Sequence, residues 1–206
     1  MAIPALRHAL RTVIGNRGAR LAMLGYFGHM WELYAMWTWI AAFAAAALGA
    51  GTAASRGSAT AGSAIAFVAI ASGAIGCVTA GFWADRWGKA QVAGGAMLAS
   101  AACALLSPAA YAAPLAVLLL LAVVWGFTVV ADSAQFSALV TEHTPRTHVG
   151  TALTLQTSAG FLLTMVSIKL VGAIGPGDWR WAFLLLVPGP LLGAWAMKRL
   201  TVNAPA

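Results

Sequence analysis

Six apolar stretches of this sequence are each long enough to cross a lipid bilayer, and nothing else in it constrains the fold so strongly. A membrane helix needs about 20 predominantly apolar residues. The stretches run from roughly Ala19 to Leu48, Ala61 to Ala84, Ala90 to Ser107, Pro114 to about Thr141, Val149 to Val171 and Trp181 to Leu200. Composition removes the alternative of a water-soluble core. The chain is 61% hydrophobic and 8% charged, whereas a soluble domain carries about 25% charged residues. Too little polar surface remains to cover a water-facing globule, so the outer side chains meet lipid. In hydrocarbon every backbone N–H and C=O needs an internal partner, which favours helices for runs of this length. The expectation is an all-α membrane protein with six transmembrane helices.

The breaks between the runs carry ordinary breaker chemistry. Gly49 to Ser63 is rich in Gly, Ser and Thr; Asp85 to Gly88 reads as a tight charged turn; Pro108 and Pro114 bracket the next break. Thr144-Pro145-Arg146 marks another, and Gly172 to Asp178 contains a Gly-Pro-Gly that no helix continues through. Pro188-Gly189-Pro190 lies inside the sixth run and is expected to bend it. The second run places Gly62, Ala66, Ala69, Gly73, Gly76 and Ala80 on one face, a packing stripe of small residues that lets two backbones approach.

The net charge of +7 raises the question of nucleic acid. The basic residues are not gathered on one surface, however; they sit between the apolar runs as topology signals do, so no nucleic-acid partner is expected. Arg7, Arg11, Arg17, Arg20, Arg86, Lys89, Arg146, Lys198 and Arg199 fall on one side of the membrane, and Arg56, Lys169 and Arg180 on the other. Positive charge stays inside, so both termini are expected in the cytoplasm. The chain divides into a basic cytoplasmic segment (1–18), a six-helix domain (19–200) and a short cytoplasmic tail (201–206). No cleavable signal peptide is expected, because the basic start leads into a full-length span. Cys77 and Cys103 lie inside apolar runs, without CxxC or zinc spacing, and read as small buried residues. There is no HExxH, GxSxG or Walker loop, so no enzyme activity, metal or cofactor is expected.

The loop between the second and third runs reads Gly81-Phe82-Trp83-Ala84-Asp85-Arg86-Trp87-Gly88-Lys89. Gly81 allows close helix contact, Gly88 suits a short turn, Asp85 can face a helix N-terminus, and Arg86 can pair with a carboxylate. This resembles the signature loop of the major facilitator superfamily, G-x-x-x-D-R-x-G-[RK]-[RK]. Ala90 departs from it where the family usually has a second base. The segment GYFGHMWELYAMW within Leu24 to Trp37 looks like the start of the C-terminal half in some bacterial members, and GTALTLQTSAGFLLT (Gly150 to Thr164) like the penultimate helix. The resemblance implies a six-transmembrane-helix half-bundle of two inverted three-helix repeats, in the bacterial inner membrane, with a cytoplasmic gate at Gly81, Asp85, Arg86, Gly88 and Lys89.

Ionisable groups inside a membrane are costly and usually line a cavity or pathway. His29 and Glu32 sit near the middle of the first run at i, i+3, with Tyr26 and Trp37 about one turn to either side. An imidazole changes charge near neutral pH, and a carboxylate can take up or release a proton, so the pair fits proton coupling. The competing reading is a structural lock between helices. Asp132 and Gln135 share the same spacing in the fourth run, and Asp132 is expected to partner Arg86 at the gate. Gln156 and Thr157 can contact substrate or bond to a neighbouring helix. Lys169, near the outer end of its span, fits snorkelling.

In the resembled family the substrate path lies between two six-helix halves, and one half rocks against the other. One half alone would leave the polar face of the first helix against lipid. The expectation is therefore a proton-coupled secondary transporter of a small solute, working with a second six-helix half. The simplest such partner is a second copy. A separate N-terminal half, a non-transporting scaffold and a truncated transporter remain as alternatives.

Overall fold

The computed structural model describes residues 3–49, 55–174 and 176–202, and among these every regular element is helical. A short helix, α1 (Ile3–Gly15), precedes six spans of membrane length and apolarity. The first three are α2 (Arg17–Gly49), α3 (Ser55–Trp87) and α4 (Lys89–Tyr111). The fourth is divided into α5 (Leu115–Ala131) and α6 (Ser133–Glu142). The fifth is α7 (Val149–Ala173). The sixth joins α8 (Trp179–Ala182), a 3-10 turn over Phe183–Leu186 and α9 (Pro188–Thr201). The protein is an all-α, six-span membrane bundle.

Several boundaries differ from the expectations, each for a local reason. The Gly, Ser and Thr-rich break expected over 49–63 is mostly helix: α2 reaches Gly49 and α3 starts at Ser55, while 50–54 lie outside the described residues. Ser63 returns its hydroxyl to the Ala59 carbonyl, so it sits within the helix without competing for it. Pro108 does not end its span. The carbonyl that its missing N–H would have bonded belongs to Ala104, and the Ser107 hydroxyl donates to that oxygen at 2.8 Å. The fourth run breaks at Asp132, where no proline or glycine announces it. The bend expected at Pro188 appears as the 3-10 turn immediately before it.

In the bundle α2 packs against α3, α6, α7 and α9, and α4 closes it against α5 and α9. Small residues set the crossings. A Cβ on Gly76 would overlap the Phe127 carbonyl, and one on Gly126 would overlap that of Ala69, so α3 and α5 approach backbone to backbone. The small-residue stripe of α3 is thus a packing face, as its spacing implies. Gly28 and Gly189 do the same for α2 and α9. On α1, Ala9 and Val13 are buried while Arg7 and Arg11 are exposed. That helix therefore lies with its apolar stripe against the bundle.

The core has two principal apolar clusters, one at each end of the bundle. The cluster at the arginine-rich end includes Met23, Met97, Phe136, Ala152 and Met197. The one at the far end includes Phe43, Cys103, Trp125, Val171 and Phe183. Between them, at corresponding positions along the chain, lies a layer of buried polar side chains: His29, Glu32, Ser100, Asp132, Gln135 and Gln156. This layer holds the candidate site.

Candidate functional site

Glu32 of α2 is 2% exposed, and one of its oxygens collects two short hydrogen bonds. The Ser100 hydroxyl of α4 donates to Oε1 at 2.7 Å, and the Trp125 indole N–H of α5 donates to the same oxygen at 2.7 Å. A carboxylate cannot be buried in lipid-facing protein without such donors. The indole ring is held in turn by an edge-on contact with Phe183, centroids 5.0 Å apart. One carboxyl group thereby ties α2 to α4 and α5.

One turn earlier on α2, His29 is 3% exposed, and its Nε2 shares a hydrogen bond with the Ser133 hydroxyl while Nδ1 has a close charged neighbour but no hydrogen-bond partner. Nδ1 lies 2.8 Å from Asp132 Oδ1, and Nε2 lies 3.0 Å from the Ser133 hydroxyl. Asp132 and Ser133 occupy the break between α5 and α6, so the imidazole clamps α2 to an interrupted span. Interrupted helices at mid-membrane are tolerated where protein satisfies the freed backbone. Phe136 stacks obliquely on His29 at 5.6 Å, and Tyr26 lies 6.2 Å from both rings.

This geometry corrects three expectations. Asp132 is not the partner of Arg86: it is 2% exposed and held by His29, while Arg86 is exposed at the end of α3. Asp132 lies at the one-residue interruption between α5 and α6, and α6 packs against α2. His29 and Glu32 do not pair with each other; each has its own partners on different helices. Nor do they need a second bundle to escape lipid, because the polar layer is enclosed by this chain alone.

The tight turn expected over Asp85 to Gly88 is confined to Gly88, because α3 stays helical through Trp87. Gly88 has φ of 90°, a left-handed conformation that favours glycine, and it joins α3 directly to α4. Gly81, by contrast, has open space where a Cβ would stand, so it makes no close helix contact in this chain. Asp85 is exposed. Lys89 pairs with Glu142 at 2.7 Å, an exposed contact linking the turn to the end of α6. Glu142 carried no signal of its own in the sequence.

The remaining candidates line the α2–α7 face. The Tyr26 ring lies against Gly160 of α7, where an added Cβ would overlap it. Tyr34 packs against Trp37 at 5.6 Å and against the exposed ring of Phe161 at 5.5 Å. Thr154, Thr157 and Thr38 are also exposed here, and α7 is the least buried span. The Trp37 indole nitrogen is buried with no hydrogen-bond partner. Gln156 is fully buried, and neither end of its amide has a partner. Ser100, Trp125 and Ser133 escaped the sequence reading. A serine or tryptophan in an apolar run looks like packing, although a buried indole N–H usually finds an acceptor. Among the described residues no cluster of His, Cys, Asp and Glu is arranged to hold a metal ion.

Six spans around a buried polar layer, with a charged glycine turn between the second and third, define a multi-pass membrane protein of transporter type. A profile of the Major Facilitator Superfamily matches residues 22–206. The chain belongs to the major facilitator superfamily, and its six spans form a half-bundle of that fold. No curated protein matches its sequence.

Proposed function

We propose that this chain is one half of a proton-coupled secondary transporter of a small solute. The observation that carries the reading is the polar layer: two carboxylates and an imidazole enclosed at one depth, with Asp132 at a break in its own span. The His29–Asp132 contact is an ion pair when the ring is doubly protonated, and proton loss removes its charge. Such a change at a helix break biases how α6 sits against α2, which is the kind of two-state element that rocking of one half requires. Glu32 serves as a second carboxylate in the same layer. Tyr26 and Trp37 supply the substrate-facing wall with Tyr34, Thr157 and Phe161, and Gln156 lies buried behind it as a polar group for the substrate to reach when the bundle opens. Exposed threonines and a half-open aromatic cluster suit a second six-helix half, or a solute, better than acyl chains.

In this reading both termini face the cytoplasm of a bacterial inner membrane, and the Gly81, Asp85, Arg86, Gly88 and Lys89 turn acts as the cytoplasmic gate. Asp132 moves from the gate to the coupling site. The simplest second half is another copy in parallel orientation.

The test is reconstitution into vesicles containing a pH-sensitive dye, exposed to a panel of small solutes. Solute-driven proton movement that disappears in Glu32→Gln supports the reading. Folded protein that moves neither solute nor protons supports a non-transporting scaffold instead. That second reading is favoured by one fact: His29 and Glu32 are sealed inside the bundle and have the geometry of a lock. Cross-linking through Leu162→Cys on the exposed face of α7 tests the second copy, and monomer alone would count against it.

A further inference from the structure

Three aromatic rings stand together on the face shared by α2 and α7. Tyr34 meets Trp37 at a centroid distance of 5.6 Å with planes 77° apart, and Phe161 at 5.5 Å with planes 43° apart. At those angles Tyr34 is stacked flat on neither neighbour. Phe161 is 47% exposed, and Tyr34 and Trp37 are half-buried. The Trp37 indole nitrogen is buried, so this residue offers its ring and not its donor to the outside.

The surroundings of the rings favour positive charge. Thr38 is exposed beside them and donates its proton to the Tyr34 carbonyl at 2.6 Å, which leaves its oxygen to accept. The nearest Lys or Arg along either helix is Lys169, about 12 Å beyond Phe161 at the helical rise. Behind the wall, close to the depth of Tyr34, lies the polar layer. Glu32 is two residues away on α2, and Asp132 contacts His29. Among the described residues no Lys or Arg is buried there. With Asp132 and His29 as an ion pair, or with the imidazole neutral, the layer as a whole is neutral or negative. A cation is tolerated at this depth, and an anion is not.

We infer that Tyr34, Trp37 and Phe161 bind the head of an alkylated ammonium ion. The ring quadrupoles attract such a cation, and its methyl groups carry no proton in need of an acceptor. A primary ammonium would bring three N–H donors to a wall whose nearest side-chain acceptor is one threonine oxygen. A neutral solute gains nothing from the quadrupoles. Access to the rings rests on the proposal that this wall faces the solute path between two halves.

The full chain in maltoside detergent, which has no choline head group, is titrated by calorimetry with choline and with 3,3-dimethyl-1-butanol. The two probes carry the same three methyl groups, on nitrogen in one and on carbon in the other. Choline should bind saturably, and the alcohol at least about tenfold more weakly. Phe161→Leu keeps an exposed apolar side chain but removes the quadrupole, so choline binding should weaken about fivefold. Phe161→Trp keeps a ring and should bind at least as tightly as the parent. Position 161 is exposed, so neither variant endangers folding, whereas Trp37 packs against the apolar core. Phe67→Leu, an exposed ring on α3, should change nothing. Absent choline binding, equal binding of the two probes, undiminished binding in Phe161→Leu, or an equal loss in Phe161→Trp would each overturn the ammonium site. So would a change of oligomeric state in Phe161→Leu with choline binding unaltered, which would assign the rings to contact with a second copy. Vesicles separate this site from the transport reading. Choline that binds without any solute-driven proton movement leaves the site standing and removes transport; proton-coupled movement of other solutes without choline binding removes the site alone.

Discussion

Replacing Glu32 tests whether its two hydrogen bonds hold the bundle together. In Glu32→Leu the carboxylate disappears and two donors lose their acceptor. They are not equivalent. The Ser100 hydroxyl can turn to a carbonyl of its own helix, as serine in membrane helices does. The Trp125 indole is fully buried and rigid, and its N–H has no such retreat. An orphaned buried donor costs about 1–3 kcal/mol, so most of the polar penalty falls on Trp125. Trp125→Phe removes that donor, so the double variant should recover part of the loss. Interhelical hydrogen bonds in membranes typically couple by about 0.6 kcal/mol and reach about 1.7. A short 2.7 Å bond to a carboxyl oxygen in a sealed layer belongs at the upper end, so a coupling of about 1.5 kcal/mol is expected. Reversible unfolding of the four proteins in mixed micelles gives the number. Losses that add within about 0.5 kcal/mol would show that the bond contributes nothing specific.

Asp132→Asn and His29→Gln should each destabilise by about 3–5 kcal/mol, since each leaves a buried partner uncompensated, and the double variant should cost less than their sum; thermal unfolding in detergent checks this, and simple additivity would refute the pairing. Gly126→Ala pushes a methyl into the Ala69 carbonyl and should cost about 1–3 kcal/mol. Gly81→Ala meets open space and should leave stability unchanged or raise it by about 0.5–1 kcal/mol, so the two thermal midpoints should move in different directions. Gln156→Leu removes two unpartnered polar atoms and should raise the unfolding midpoint while abolishing solute movement; a fall in stability would mean the amide is bonded after all.

His29, Glu32 and Gln156 were legible as candidates because a polar side chain in an apolar run is conspicuous by cost alone. Their partners were not. Spacing at i, i+3 placed His29 and Glu32 side by side on one face of the first span, yet they reach partners on different helices. Nothing in the run from Leu115 to Thr141 marks the break that delivers Asp132 to His29. Arg86 seemed the natural mate for Asp132 because both lie toward the same end of the membrane, but depth along two helices does not establish that they touch. Gly81 seemed a contact glycine, and it faces open space.

From sequence alone come the solvent, the number of spans and the family loop, because these depend on local quantities: run length against bilayer thickness and a glycine turn with fixed charge spacing. Which helix meets which, where the fourth span breaks, and which donor reaches each buried charge depend on contacts between residues as far apart as Glu32 and Trp125. In a lipid solvent hydrophobicity does not rank one helix pairing above another. Close packing at glycines and the need to satisfy every buried polar atom decide it, and both are properties of the assembled bundle.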